Sequence, residues 1–131
     1  MKTIHIITSM TVGCDKLKEW TRNFRSKNNP TAALYVFEGC LPPKKQIKHS
    51  DEIFEDWMNR DNDVIYVTYS ELAILNLIKK FDVLKIAPER IFFSVMAEDG
   101  KVYEYNLDGT YEFTSQWVEG FFEEAADLLF Y

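Results

Sequence analysis

The run Asp63-Val64-Ile65-Tyr66-Val67-Thr68-Tyr69-Ser70-Glu71 leaves a folding chain few choices. Val64 to Thr68 does not alternate polar with apolar residues, so it lacks the single wetted face of a half-buried strand. A continuous β-branched and aromatic run predicts a strand buried on both faces, as in a parallel sheet. Ala32 to Glu38 is a second such run and predicts the same environment. Two buried parallel strands need a crossover between them and helices on both faces.

The rest of the chain supplies them. Thr3 to Thr8 is a further β-rich apolar run, broken at Ser9-Met10-Thr11-Val12-Gly13. Leu17, Trp20 and Phe24 then recur at three and four residues among Lys16, Lys18, Glu19, Arg22 and Arg25, the stripe of an amphipathic helix that Asn28-Asn29-Pro30 ends. Gly39-Cys40-Leu41-Pro42-Pro43 reads as a loop, because two prolines oppose a regular helix. The next helix is expected from Ser50, with Asp51 and Glu52 at its positive end and Ile53, Phe54, Trp57 and Met58 inward. Ser70 is a plausible cap for a third helix, reaching about Phe81 with Leu72, Leu75, Leu77 and Ile78 inward. Ala87-Pro88-Glu89 punctuates before a strand from Arg90 to Met96. Asp99-Gly100 centres a hairpin leading into Val102 to Leu107. Trp117 to Phe130 reads as a C-terminal amphipathic helix. The predicted fold is therefore α/β, a three-layer, mainly parallel sheet flanked by helices, with a C-terminal β-hairpin and helix, in one domain over residues 1–131.

Composition bounds the function. Fifteen Lys plus Arg against 21 Asp plus Glu give a net charge of −6, and the basic residues are scattered apart from Lys44, Lys45 and Lys48. Nucleic acid is thus disfavoured as a ligand. The N-terminal apolar run is too short for a signal peptide or a membrane span, which predicts no membrane association and a cytoplasmic setting. Cys14 and Cys40 are too few for a disulfide framework or a zinc site. His5 and His49 have no acid or cysteine at ligand spacing, so neither a metal nor another cofactor is expected.

In a parallel sheet Glu38 and Thr68-Tyr69-Ser70-Glu71 emerge at the same carboxyl edge, where α/β proteins place ligands. The strings Thr68-Tyr69-Ser70-Glu71-Leu72, Ile86-Ala87-Pro88-Glu89-Arg90-Ile91-Phe92-Phe93, Asp108-Gly109 and Trp117-Val118-Glu119-Gly120-Phe121-Phe122-Glu123-Glu124 occur in that order. Together they resemble the carboxyl-terminal part of ABC-type AAA ATPases of the OLD/RecF-like group, whose strings read approximately T-H-S-E-x-L, x-P-E-D-V-x-x-Y, D-G and W-P-x-G-F-F-D-E. Leu34 to Glu38 is similar to that family's Walker B strand. Thr11-Val12-Gly13-Cys14 resembles a worn form of its signature turn. The resemblance implies a partial P-loop NTPase-like fold.

The departures carry equal weight. The chain has no G-x-x-x-x-G-K-S/T string to surround phosphates. Glu38 matches the first acid of the family's pair, but Gly39 stands where the second would polarise water. Tyr69 stands where the family has a histidine contacting the γ-phosphate. Losing such parts of a phosphoryl-transfer site costs orders of magnitude in rate, so the resemblance implies a lobe lacking the nucleotide-binding half, with no catalysis of its own.

Each position also has a plain structural reading. Glu38 is either a strand-end acid or a retained ligand contact, Tyr69 packs more readily than it catalyses, and Ser70 with Glu71 is explained by a helix start. Three functions fit. The first is a non-catalytic interaction module, such as a phage might encode, docking on an ATPase partner or on a second copy of itself. The second is a split-ATPase subunit using Glu38 in trans, and the third a structural or assembly protein with no nucleotide link. In the resembled family the phosphate-loop strand lies inside the sheet. With that strand missing, Val64 to Thr68 is expected between Ala32 to Glu38 and Arg90 to Met96.

Overall fold

The computed structural model describes residues 2–9, 15–37, 41–97, 100–105, 107 and 111. In chain order they form β1 (Ile4–Ser9), α1 (Asp15–Asn28), β2 (Ala33–Phe37), α2 (Pro43–Asn59), β3 (Val64–Thr68), α3 (Glu71–Val83), a 3-10 turn at Pro88–Arg90, β4 (Ile91–Met96) and β5 (Val102–Tyr105). The strands make one five-stranded sheet in the order β2-β3-β1-β4-β5. The first four are parallel, and β5 returns antiparallel to β4 through a hairpin with Gly100 at φ 85°. Positive φ at the turn is where glycine carries no side-chain penalty. The expected C-terminal helix lies outside the described residues.

The strand order corrects one expectation. β3 has β2 on one side but β1, not β4, on the other, with Ile4 opposite Val64 and also opposite Ile91. The reason lies in β1 itself. Ile4, Ile6 and Ile7 are all fully buried, and a strand apolar on both faces reaches that state only with neighbours on both edges and helices on both sides. Burying each isoleucine contributes about 1.5–3 kcal/mol.

Alternation along the strands divides the core in two. Ile4, Ile6, Val64, Tyr66, Ile91 and Phe93 pack with Ile53, Phe54 and Trp57 of α2 and Ala73, Ile74, Leu77 and Phe81 of α3. Ile7, Ile65, Val67 and Met96 pack with Leu17 of α1, and Trp20 and Phe24 lie against them. Three layers result, with α1 on one face and α2 with α3 on the other.

Three further expectations fail. The α2 helix begins at Pro43, seven residues before Ser50. Proline is tolerated in a first turn, where its missing N–H would have no helical partner. Ser50 is instead a buried mid-helix residue whose hydroxyl donates to Ile47 O at 2.6 Å, and Met58 faces out at 41% exposure. The β2 strand, expected to be buried on both faces, is the sheet edge among the described residues, and Leu34 and Val36 are exposed.

The amino edge of the sheet is held by polar contacts. Lys2 Nζ donates to the Trp57, Met58 and Arg60 carbonyls at 2.7, 2.9 and 2.8 Å, satisfying the C-terminal end of α2. The Asp63 carboxylate accepts from Thr3 N and Asn29 Nδ2, both at 2.7 Å, joining β1, α1 and β3.

Candidate functional site

The parallel pairing of β2 and β3 brings Phe37 opposite Thr68, so the loops after both strands leave the sheet at one carboxyl edge. Thr68 is fully buried, and its Oγ1 accepts from Ser70 N at 3.0 Å. The Ser70 Oγ accepts from Ala73 N at 3.1 Å and donates to Gln46 Oε1 at 2.5 Å, while Gln46 Nε2 donates to Leu41 O at 2.6 Å. Ser70 is thus the N-cap of α3, as expected. Through Gln46 the cap also reaches the segment that follows β2. Glu71 sits in the first turn of α3, where a negative charge suits the helix dipole.

Tyr69 points to the α1 side and packs, half-buried, against the cluster of Ile7, Leu17, Ala32, Ile65 and Val67. The other candidate positions, Thr11, Gly13, Glu38 and Gly39, lie outside the described residues. The edge therefore brings together Thr68, Ser70 and Glu71, while Tyr69 turns into packing.

Four participants escaped the sequence. On the α2 side, the Tyr66 hydroxyl meets His49 Nδ1 at 3.0 Å. Burial pushes the Tyr66 phenol up to about 12, partly offset by a hydrogen bond with Thr68. It therefore stays protonated at neutral pH, linking His49 to the buried threonine. Gln46 and His49 are three apart on α2 and so share a helix face. Starting that helix at Pro43 would have revealed the pair. Near the end of β1 stands Thr8, 2% exposed, whose hydroxyl has no hydrogen-bond partner among the described residues.

A second polar cluster braces the sheet edge. The Tyr35 hydroxyl of β2 donates to the Asp56 carboxylate of α2, and Arg60 donates to Tyr35 Oη at 3.0 Å and to Asp56 Oδ2 at 2.9 Å. Hydrogen bonds from Arg60 first, and then Tyr35, hold the Asp56 carboxyl below its ordinary range, while Asp56 raises the Tyr35 phenol.

These interactions are caps, braces and packing. Among the described residues no group of His, Cys, Asp and Glu is placed to hold a metal ion, and no described helix is long and apolar enough to cross a membrane. Removing the Ser70 cap in Ser70→Ala is expected to destabilise the fold by about 1 kcal/mol, read as a lower urea midpoint at unchanged slope. An unchanged midpoint would show that the Ala73 N–H finds another acceptor without loss. Comparison with protein-family models, curated proteins and solved structures gave no match to this chain.

Proposed function

We propose that this protein is a non-catalytic, ATPase-like interaction module that docks on an ATPase partner in the cytoplasm and, in the setting of a phage, inhibits it. The observation that carries docking is the outer edge of β2, which pairs with no strand among the described residues. An unpaired strand is a template for another strand, and this one puts Leu34 at 36% and Val36 at 50% exposure with no lysine or proline to discourage pairing. The Tyr35, Asp56 and Arg60 contacts hold the edge rigid against α2, which lowers the entropy lost on association.

That the partner is an ATPase rests on the resemblance described above. The interior position of β1 gives the sheet a parallel strand leading into a helix, the place of the phosphate-loop strand in the resembled family. Ser9 to Lys16 contains one glycine, Gly13, and no G-K-S/T ending, so backbone N–H groups and a lysine are not arranged in sequence as phosphate binding requires. Calorimetry of the isolated chain with ATP and Mg²⁺ is expected to give no binding heat.

Affinity capture from the native host, read by mass spectrometry, is expected to recover an ATPase. Val36→Lys places a charge on the edge and is expected to cut that capture by about tenfold without lowering the melting temperature. A stable monomer that captures no ATPase would defeat the proposal. ATP turnover on mixing with the captured chain, abolished by Glu38→Gln, would replace it with a split enzyme.

A further inference from the structure

On the α1 side, near the amino ends of β1 and β4, lies a cavity of about 410 Å³ whose lining includes His5, Phe24, Phe92, Asn28, Asn29 and Glu104. Its size falls within the ordinary range for small-molecule sites. Ring stacking builds its wall. The His5 imidazole meets Phe24 edge-on at 4.5 Å between centroids and stacks on Phe92 at 5.9 Å, and Trp20 in turn stacks on Phe24 at 5.2 Å. Phe92 is 38% exposed, an aromatic surface open to solvent.

The polar groups around these rings offer acceptors. Asn28 Nδ2 is committed to Phe24 O at 3.1 Å and Asn29 Nδ2 to Asp63 Oδ2 at 2.7 Å, so each amide's Oδ1 retains capacity. Glu104, exposed on β5, adds a carboxylate. Among the described residues no lysine or arginine lines the cavity. A phosphate or carboxylate ligand would face Glu104 with no cation in return. A compact ammonium is strongly hydrated and gains little from flat rings, whereas a delocalised planar cation both donates to acceptors and stacks on aromatic faces.

We propose that this cavity binds a small planar organic cation, an aryl amidinium or guanidinium, with its charge against Glu104 and its flat face on Phe92. The neighbouring imidazole leaves the charge balance in place. Burial lowers His5 to about 4, so at neutral pH it adds no positive charge to the wall. Its Nε2 is held at 2.7 Å by Ser94 Oγ. Ser94 is fully buried, so its hydroxyl serves to orient the ring and is closed to a substrate. The cavity lies at the opposite end of β1 from the carboxyl edge and away from β2, so this proposal stands or falls independently of the docking one.

The test is calorimetric titration of the full chain with benzamidine, followed in parallel by tryptophan fluorescence, since Trp20 belongs to the ring stack. A dissociation constant on the order of 1 mM is expected for so small a ligand. Neutral benzamide, of nearly the same shape, should bind at least about tenfold more weakly, and Glu104→Gln and Phe92→Ser should each weaken benzamidine about tenfold. Both substituted side chains are exposed, and circular dichroism checks that the variants remain folded. Equal binding of benzamide, an unaltered constant in Glu104→Gln, or no benzamidine binding at 20 mM, on the order of twenty times the expected constant, would overturn the proposal. N-acetyl-arginine amide is expected to bind more weakly than benzamidine. Tighter binding would assign the cavity to an arginine side chain of a protein and overturn the small-molecule assignment.

Discussion

Trp57→Ala is expected to destabilise the protein by about 3–5 kcal/mol, the range for removing a buried aromatic side chain from a packed core. Trp57 is fully buried and joins several elements. It leans on Phe54 at 6.2 Å within α2 and on Phe81 of α3 at 6.1 Å, nearly edge-on. Its Nε1 donates to Thr3 O at 3.0 Å, tying α2 to the start of β1, and the Arg90 guanidinium lies 4.9 Å above its ring. Alanine therefore leaves a large void and removes one of the two hydrogen bonds Thr3 O accepts, the other coming from Val64 N at 3.1 Å. Against a total stability of roughly 5–15 kcal/mol for a domain of this kind, the loss would bring the variant close to unfolding at ambient temperature. Urea denaturation followed by circular dichroism measures it. Trp57→Phe keeps most of the volume and should lose less. A loss below about 1 kcal/mol in the alanine variant would mean that the core closes over the void, contrary to the packing described.

Acid is expected to weaken the fold through His5 by about 3 kcal/mol between pH 6.5 and pH 4. Burial lowers the folded-state imidazole from 6.5 to about 4. Between those values the unfolded chain takes up a proton that the folded chain refuses, so stability falls as pH falls through the window. It is constant above the window with respect to this group. Asp56, whose carboxyl is also held low, adds loss at more acidic pH. The comparison that isolates His5 is the pH dependence of the urea midpoint in His5→Gln, which should be flatter than that of the parent between pH 6.5 and 4. Parallel profiles would show that His5 titrates normally in the folded protein.

The sites of these two predictions differ in how far the sequence reveals them. Trp57 was legible, because Ile53, Phe54 and Trp57 recur on one helical face. His5 reads in the sequence only as a core or surface histidine, because its partners Phe24, Phe92 and Ser94 meet it only when β1 pairs with β4 and α1 crosses above. At the carboxyl edge, Ser70 was legible as a cap since a serine before an apolar helix makes its bond three residues on. The link from Ser70 to Gln46 was not, for it needs a helix that starts at Pro43, and a double proline reads locally as a breaker although proline also suits a first turn.

Local pattern alone determined that this chain is α/β, where its strands lie, that α3 is capped by Ser70 and that β4 turns back at Gly100. Those features depend on neighbours a few residues apart, whose spacing the sequence displays directly. The tertiary structure decided the strand order. All the parallel runs are apolar and each would accept an interior place, so local pattern does not rank them. The choice falls to the whole sheet: Ile4, Ile6 and Ile7 require cover on both faces, and the interior position gives it. Leu34 and Val36 are left on the edge strand of the described sheet.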